Sequence, residues 1–206
     1  MKTKDTILQK ALEMFNEKGI EYTGVRELAG LLDMRVSNIS YYFPSKDDLV
    51  AELAVELRAL NNTLAEKPIN TLKDYLEMNL QRQRHQYAYR CLFLSFVHLI
   101  TQNPILARNY KQTEKQRMAE ARGYIITLIE NGYLHETQAT ENIDILVGHL
   151  SLISRFWLSE ARVTFPGEKP EVVINRYNLL LCDVLERYAT AKGKRDIKIY
   201  VETMDA

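Results

Sequence analysis

The 206-residue chain is poor in the residues that interrupt helices, with eight glycines and five prolines. That scarcity argues against an all-β fold, which needs frequent tight turns. It has only two cysteines, Cys91 and Cys182, far apart and in apolar surroundings. They are read as buried thiols in a reducing compartment rather than a disulfide. No apolar run is long enough to span a bilayer. The longest, Cys91 to Ile100, is too short and contains His98. The start, Met1-Lys2-Thr3-Lys4, leads straight into an amphipathic pattern without the apolar core of a signal peptide, so a cytoplasmic location is expected. Catalytic signatures are missing too. There is no glycine-rich phosphate loop and no nucleophile elbow, and the four histidines (85, 98, 135, 149) show no helical metal-ligand spacing. Neither an enzyme, a metal nor a cofactor is implied. Charge of one sign is also lacking, because the formal net charge is zero. Residues 1–50 carry seven Lys/Arg against eight Asp/Glu, a net of −1. Any nucleic-acid contact must therefore be local rather than driven by a global basic field.

What is present is helical patterning, and one stretch is especially informative: TGVRELAGLLDMRVSNISYYFPSK, residues 23–46. Val25, Leu28, Ala29 and Leu32 share one helical face. Thr23 stands where an N-cap oxygen would accept a backbone N–H. Asp33-Met34-Arg35 breaks the pattern, and Val36 to Tyr42 restarts it with Ile39 and Phe43 as inward anchors. Two short helices around a tight turn can place the second one in a DNA major groove. Ser45 with Asp48 forms a near-capping box that opens the next helix.

The segment from Ile7 to Val50 resembles the DNA-binding domain of the TetR-type family of one-component bacterial regulators. The resemblance rests on ILQKALEMFNEKGIEYTGVRELA and VSNISYYFPSKDDL, in order and with their spacing. That family commonly has glycine in the turn where this chain has Asp33, and tyrosine where it has Ser40. Aspartate visits the left-handed backbone region more readily than most residues, so the turn is expected to form. The resemblance implies an all-α fold: a three-helix head over residues 1–46, then a larger helical sensing and dimerisation part over 47–206. It also implies a homodimer on a palindromic double-stranded operator, a small-molecule effector, and repression as the default.

The first helix is expected over 4–18, with Gly19 as its stop. Leu49, Leu53, Leu57, Leu60 and Leu64 run as a stripe along the fourth. Further helices are expected near 69–88, 90–102, 104–131, 139–163 and 170–191. In the tail, Ile197, Tyr200, Val201 and Met204 have helical spacing, with a strand over IKIYV as the competing reading.

Side chains at the start of the second short helix are best placed to meet base edges. Asn38 can pair with adenine, Val36 can touch a thymine methyl, and Ser37 lies beside them. Tyr41, Tyr42, Thr23, Arg26, Arg35 and Lys46 are candidates for phosphate contact, Lys46 together with the amides of a helix N-terminus. Each of these also has a plain reading as a cap or a solvated surface group.

The helix near 139–163 is apolar on two sides, and so is the one near 170–191. One face is expected to meet the core and the other a second copy. Ile145, His149, Leu152 and Phe156, with Tyr177, Leu181, Val184 and Tyr188, are the candidate dimer residues; a deeply buried hairpin is the alternative. Polar groups that interrupt apolar stripes mark a candidate ligand pocket. Gln83 and Arg117 are its centre, Thr113 lies beside Arg117, and Tyr89, His98, Tyr110 and Trp157 are possible walls. An arginine there would favour an anion. Internal pairing of these polar groups is the competing reading, as is a helical interaction protein whose reading head has degenerated.

Overall fold

The computed structural model describes residues 3–136 and 140–204, and these are all-α. Eleven helices follow in chain order: α1 (Thr3–Lys18), α2 (Val25–Leu31), α3 (Val36–Tyr42), α4 (Lys46–Ala65), α5 (Leu72–Ala88), α6 (Arg90–Leu94), α7 (Phe96–Gln102), α8 (Pro104–Glu130), α9 (Thr140–Thr164), α10 (Pro170–Glu186) and α11 (Ala191–Met204). The expected start of the ninth helix at position 139 lies outside the described residues. The chain forms two compact units. Unit 1 holds residues up to Asn61 together with Ala88–Gln112; unit 2 holds Asn62–Tyr87 and Thr113–Ala206.

Unit 1 is built on the inner stripes of α1 and α4. Ile7, Leu8, Ala11 and Phe15 meet Leu28 and Ala29 of α2, Ile39 of α3, and Leu49, Val50 and Leu53 of α4. A division at residue 46 would remove those α4 side chains from the core that they fill. Asn16 brings in the later segment: its Nδ2 donates to the Ala88 carbonyl at 2.7 Å and its Oδ1 accepts from the Cys91 N–H at 3.0 Å. Ser95 donates its hydroxyl to the Glu21 carboxylate at 2.8 Å. Ser95 also sits at φ −96°, ψ 12°, so the single helix expected over 90–102 is split into α6 and α7.

Unit 2 packs α5, α9, α10 and α11 around Leu72, Leu76, Leu128, Leu146 and Leu185. α5 opens with a capping box: Asp74 accepts from the Thr71 N–H at 2.9 Å while Thr71 Oγ1 accepts from the Asp74 N–H at 3.0 Å. The helix expected to reach residue 191 instead stops at Glu186, and Thr190 starts α11, its Oγ1 accepting the Gly193 N–H at 3.2 Å. Gly193 is required there, since a Cβ would stand 2.2 Å from the Tyr133 carbonyl oxygen. The tail is thus helical and the strand reading of IKIYV is overturned: Ile197 and Tyr200, three apart, are both buried on one side of α11.

Candidate functional site

Helices α2 and α3 are joined by a turn that the backbone closes completely. The Met34 N–H donates to Ala29 O at 2.9 Å and the Asp33 N–H to Gly30 O at 3.3 Å. This is the Schellman arrangement, with Asp33 in the left-handed position at φ 51°. Asp33 therefore does what glycine does at such positions. Met34 packs on the unit 1 core, the hydrophobic contact that accompanies the motif.

The turn fixes which face of α3 looks outward. Ile39 is fully buried and Phe43 nearly so, whereas Val36, Ser37, Asn38, Tyr41 and Tyr42 are exposed, Tyr41 to 82%. The Tyr41 and Tyr42 rings meet edge-on with centroids 5.1 Å apart, which restricts both. No side chain caps the first amides of α3. Arg26 and Arg35 are exposed and enter no ion pair among the described residues, whereas Lys4 and Lys18 are paired with Glu52 and Glu27.

Two of the expected phosphate ligands are engaged within the fold. Thr23 is buried and does not cap α2; that position is Gly24. Its hydroxyl donates back to Gly19 O at 3.0 Å. The Lys46 ammonium donates to Ile20 O at 2.8 Å and to Thr23 O at 3.1 Å, so it closes the loop between α1 and α2. The capping box at α4 is formed as expected: Asp48 accepts from the Ser45 N–H at 3.0 Å, and Ser45 Oγ accepts from the Asp48 N–H at 3.2 Å.

The expected dimer residues fall into two groups. On α9, Ile145, His149, Leu152 and Phe156 are exposed, Leu152 to 54%, while Leu146, Val147, Leu150 and Trp157 are buried. The two-faced pattern is therefore real. On α10, Tyr177 and Leu181 are buried within unit 2 and Val184 is half-buried against its core, as is Tyr188 in the turn that follows the helix. The outward apolar residues of α10 are Val172, Leu179 and Leu180 instead. A helix that is apolar nearly all round does not reveal from its spacing which stripe is inside.

The expected ligand residues are divided between the two units. Tyr89, His98 and Tyr110 belong to unit 1. Tyr89 is in its core and donates to Glu56 at 3.2 Å; burial, helped by the Glu56 carboxylate, pushes the phenol up to about 12. His98 is exposed, and the Tyr110 ring stands 5.3 Å from Phe96. Arg117 is exposed on α8 with its guanidinium on Thr113 of the same helix. Only Gln83 and Trp157 lie inside unit 2. They do so with partners that spacing did not reveal. Tyr200 donates to Asn178 Oδ1 at 2.8 Å, and Asn178 Nδ2 donates to Gln83 Oε1 at 3.1 Å. The Trp157 indole donates to Gln86 Oε1, and Gln86 Nε2 donates to Ser154 at 3.3 Å. Among the described residues no group of side chains could hold a metal, and no helix is long and apolar enough to cross a membrane.

A turn-locked helix pair that presents polar and aromatic side chains outward on an all-helical chain defines the class of helix-turn-helix DNA-binding regulators. Residues 7–53 match the family described as "Bacterial regulatory proteins, tetR family", and residues 54–197 match "Bacterial transcriptional repressor" of the TetR type. The chain belongs to the TetR family of transcriptional regulators. It is similar to the probable HTH-type transcriptional regulator YttP of Bacillus subtilis, 46% identical over 54 residues, which is 26% of each chain. It is also similar to the HTH-type transcriptional regulator RutR of Escherichia coli, 29% identical over 89 residues, covering 39% of this chain and 41% of that one. The matched stretches thus span well under half of these relatives. Among solved structures, a TetR-family regulator from Marinobacter aquaeolei superposes with a TM-score of 0.86 at 21% identity, covering 99% of both chains. A putative regulator from Saccharomonospora viridis, solved in complex with choline, does so with 0.67 at 17% identity, covering 86% and 94%.

Proposed function

We propose that this protein is a ligand-responsive repressor that binds a palindromic operator as a homodimer in the cytoplasm and is released by a small molecule. The observation that carries the DNA part is the outward face of α3: Val36, Ser37, Asn38, Tyr41 and Tyr42 exposed over a buried Ile39. Asn38 supplies a paired donor and acceptor for adenine, and Val36 and Ser37 flank it. Arg26, Arg35, Tyr41 and Tyr42 supply the backbone contacts. Few cations are involved, so the salt dependence is shallow.

The exposed α9 stripe of Ile145, Leu152 and Phe156 supports dimerisation, since a contiguous apolar face of this kind is covered in a stable protein. Two-fold symmetry then sets two α3 helices roughly 34–36 Å apart, one per half-site. An effector acts by preferring a conformation with a different spacing, and a coupling of about 1–3 kcal/mol changes operator affinity roughly 5- to 150-fold. Gln83 and Trp157 are retained as effector residues, and the choline complex of a structural neighbour supports a small-molecule site on this fold.

The test is capture of fragmented genomic DNA by purified protein that has been refolded free of ligand, at low and moderate salt, followed by sequencing. An enriched palindrome is the expected result. Its absence at both salts would leave a helical interaction protein with a degenerate head.

A further inference from the structure

Three buried side-chain polar atoms lack a hydrogen-bond partner among the described residues, and two of them, Gln83 Nε2 and the Tyr177 hydroxyl, share the unit 2 interior. Gln83 is 3% exposed and Tyr177 6%. They are linked through the cluster already described. Gln83 accepts from Asn178, the neighbour of Tyr177 on α10, and the Trp157 and Tyr177 rings lie 5.5 Å apart. The direction of the chain matters. The Tyr200 hydroxyl donates to Asn178 and Asn178 donates to Gln83, so what is left over at Gln83 is a donor.

An orphaned buried donor destabilises the fold unless something accepts from it. Phe at Tyr177 would fill the same space without that penalty, and only the Oε1 half of the Gln83 amide is used, by Asn178. No aspartate, glutamate, lysine, arginine or histidine is among the buried residues described. An ion entering this interior would therefore lose its hydration without meeting a counter-charge. The one arginine that favoured an anionic ligand, Arg117, is exposed on α8. A groove of about 700 Å³, lined by apolar Leu64, Met78 and Met204 and by charged Asp74, Glu77 and Arg84, reaches Tyr200, the first member of the hydrogen-bonded chain, but not Gln83 or Tyr177 themselves.

We propose that unit 2 binds an uncharged small molecule carrying a carbonyl-type acceptor, held by the Gln83 amide and the Tyr177 hydroxyl beside the Trp157 indole. This rests on the effector-sensing reading above and adds the chemistry of the effector. A neutral amide or lactam suits the two groups, because its oxygen is the acceptor that both orphaned donors lack and its apolar body is compatible with the Trp157 indole.

Trp157 is the only tryptophan of the chain, so its fluorescence reports this interior alone. The experiment titrates full-length protein with benzamide, acetanilide and caprolactam as neutral probes, and with benzoate and benzyltrimethylammonium as charged ones. It is repeated on Tyr177→Phe and Gln83→Met. At least one neutral probe is expected to give a saturable change below about 10 mM, the range open to ligands this small. The charged probes are expected to bind at least about tenfold more weakly. Tyr177→Phe should weaken the neutral probe about tenfold, the loss of one hydrogen bond, while its unfolding temperature stays equal or rises. A purely structural tyrosine would leave probe affinity unchanged. The proposal is overturned if no neutral probe saturates, if an anion or cation binds as well, or if Tyr177→Phe binds like the parent. DNA capture without probe is run alongside on the same samples. Failure of the fluorescence arm with intact capture rejects the ligand class alone, and failure of capture rejects the regulator reading.

Discussion

The Met34 N–H donates to the Ala29 carbonyl at 2.9 Å, closing the last turn of α2 across Asp33. The geometry holds Asp33 at φ 51°, where a Cβ is strained and glycine is not. Asp33→Gly is therefore expected to raise unfolding free energy by about 0.5–1 kcal/mol, and Asp33→Val to lower it by about 1–2 kcal/mol. Urea unfolding of unit 1, followed by circular dichroism, measures both. A stabilising Asp33→Val would show that the left-handed turn is wrong.

Lys46, bonded within the fold, and Arg35, exposed and proposed to meet DNA, should respond differently to substitution. Lys46 holds the Ile20 and Thr23 carbonyls, so Lys46→Met is expected to cost about 1.5–3 kcal/mol of stability. Arg35 is exposed, so Arg35→Ala should leave stability within about 0.5 kcal/mol. It should weaken binding to all DNA sequences alike and reduce the salt slope by about one. Reversal of the two phenotypes, seen by thermal unfolding and binding titration, would contradict the assignment.

Leu152 and Leu181 make the corresponding test for self-association. Leu152 is exposed on α9 and Leu181 is buried in unit 2. Leu152→Glu is expected to give a folded monomer by light scattering after size exclusion. Leu181→Glu should instead unfold the unit, since it buries a charge with no partner. A folded dimer for Leu152→Glu would place the interface elsewhere.

Both cysteines are free and buried, and burial pushes each thiol from its usual 9.0 up to about 12. At about pH 8, near the ionisation of a free thiol, they should resist a disulfide reagent until denaturant is added. The sign for stability follows. The folded-state values are raised, so the contribution is complete below pH 9.0 and is lost as pH climbs towards about 12. Fast labelling of native protein would contradict the packing around Cys91 and Cys182.

The parts of this structure that could be read in advance are those whose causes are local. The turn at Asp33, the Ser45–Asp48 box and the inward Ile39 and Phe43 each depend on residues within one or two helical turns. What escaped reading joins distant positions. Lys46 meets carbonyls of residues 20 and 23, and Asn16 meets residues 88 and 91. Neither has a periodic signature. Arg117 was misplaced for a different reason. As a polar group interrupting an apolar stripe it has the spacing of a pocket residue, yet all of α8 from residue 114 to 120 is exposed. On α10 the apolar residues surround the helix, so spacing alone could not distinguish Leu180, which is exposed, from Leu181, which is not. In the interior cluster, Gln83 is legible as an interruption of an apolar stripe and Trp157 as a possible wall. Their partners Gln86 and Asn178 have no periodic signature, and Tyr177 has the spacing of a dimer-face residue.

The central claim is that α3 reads DNA through its outward face, and Asn38 tests it most directly. The measurement is the affinity of ligand-free protein and of Asn38→Ala for the captured palindrome and for a scrambled duplex, at two salt concentrations. The parent is expected to prefer the palindrome by about a thousandfold or more. Asn38→Ala should lose about 1–3 kcal/mol of that preference while its unfolding temperature and dimer mass stay the same. Equal affinity of the parent for both duplexes, or an unchanged preference in Asn38→Ala, would contradict the account.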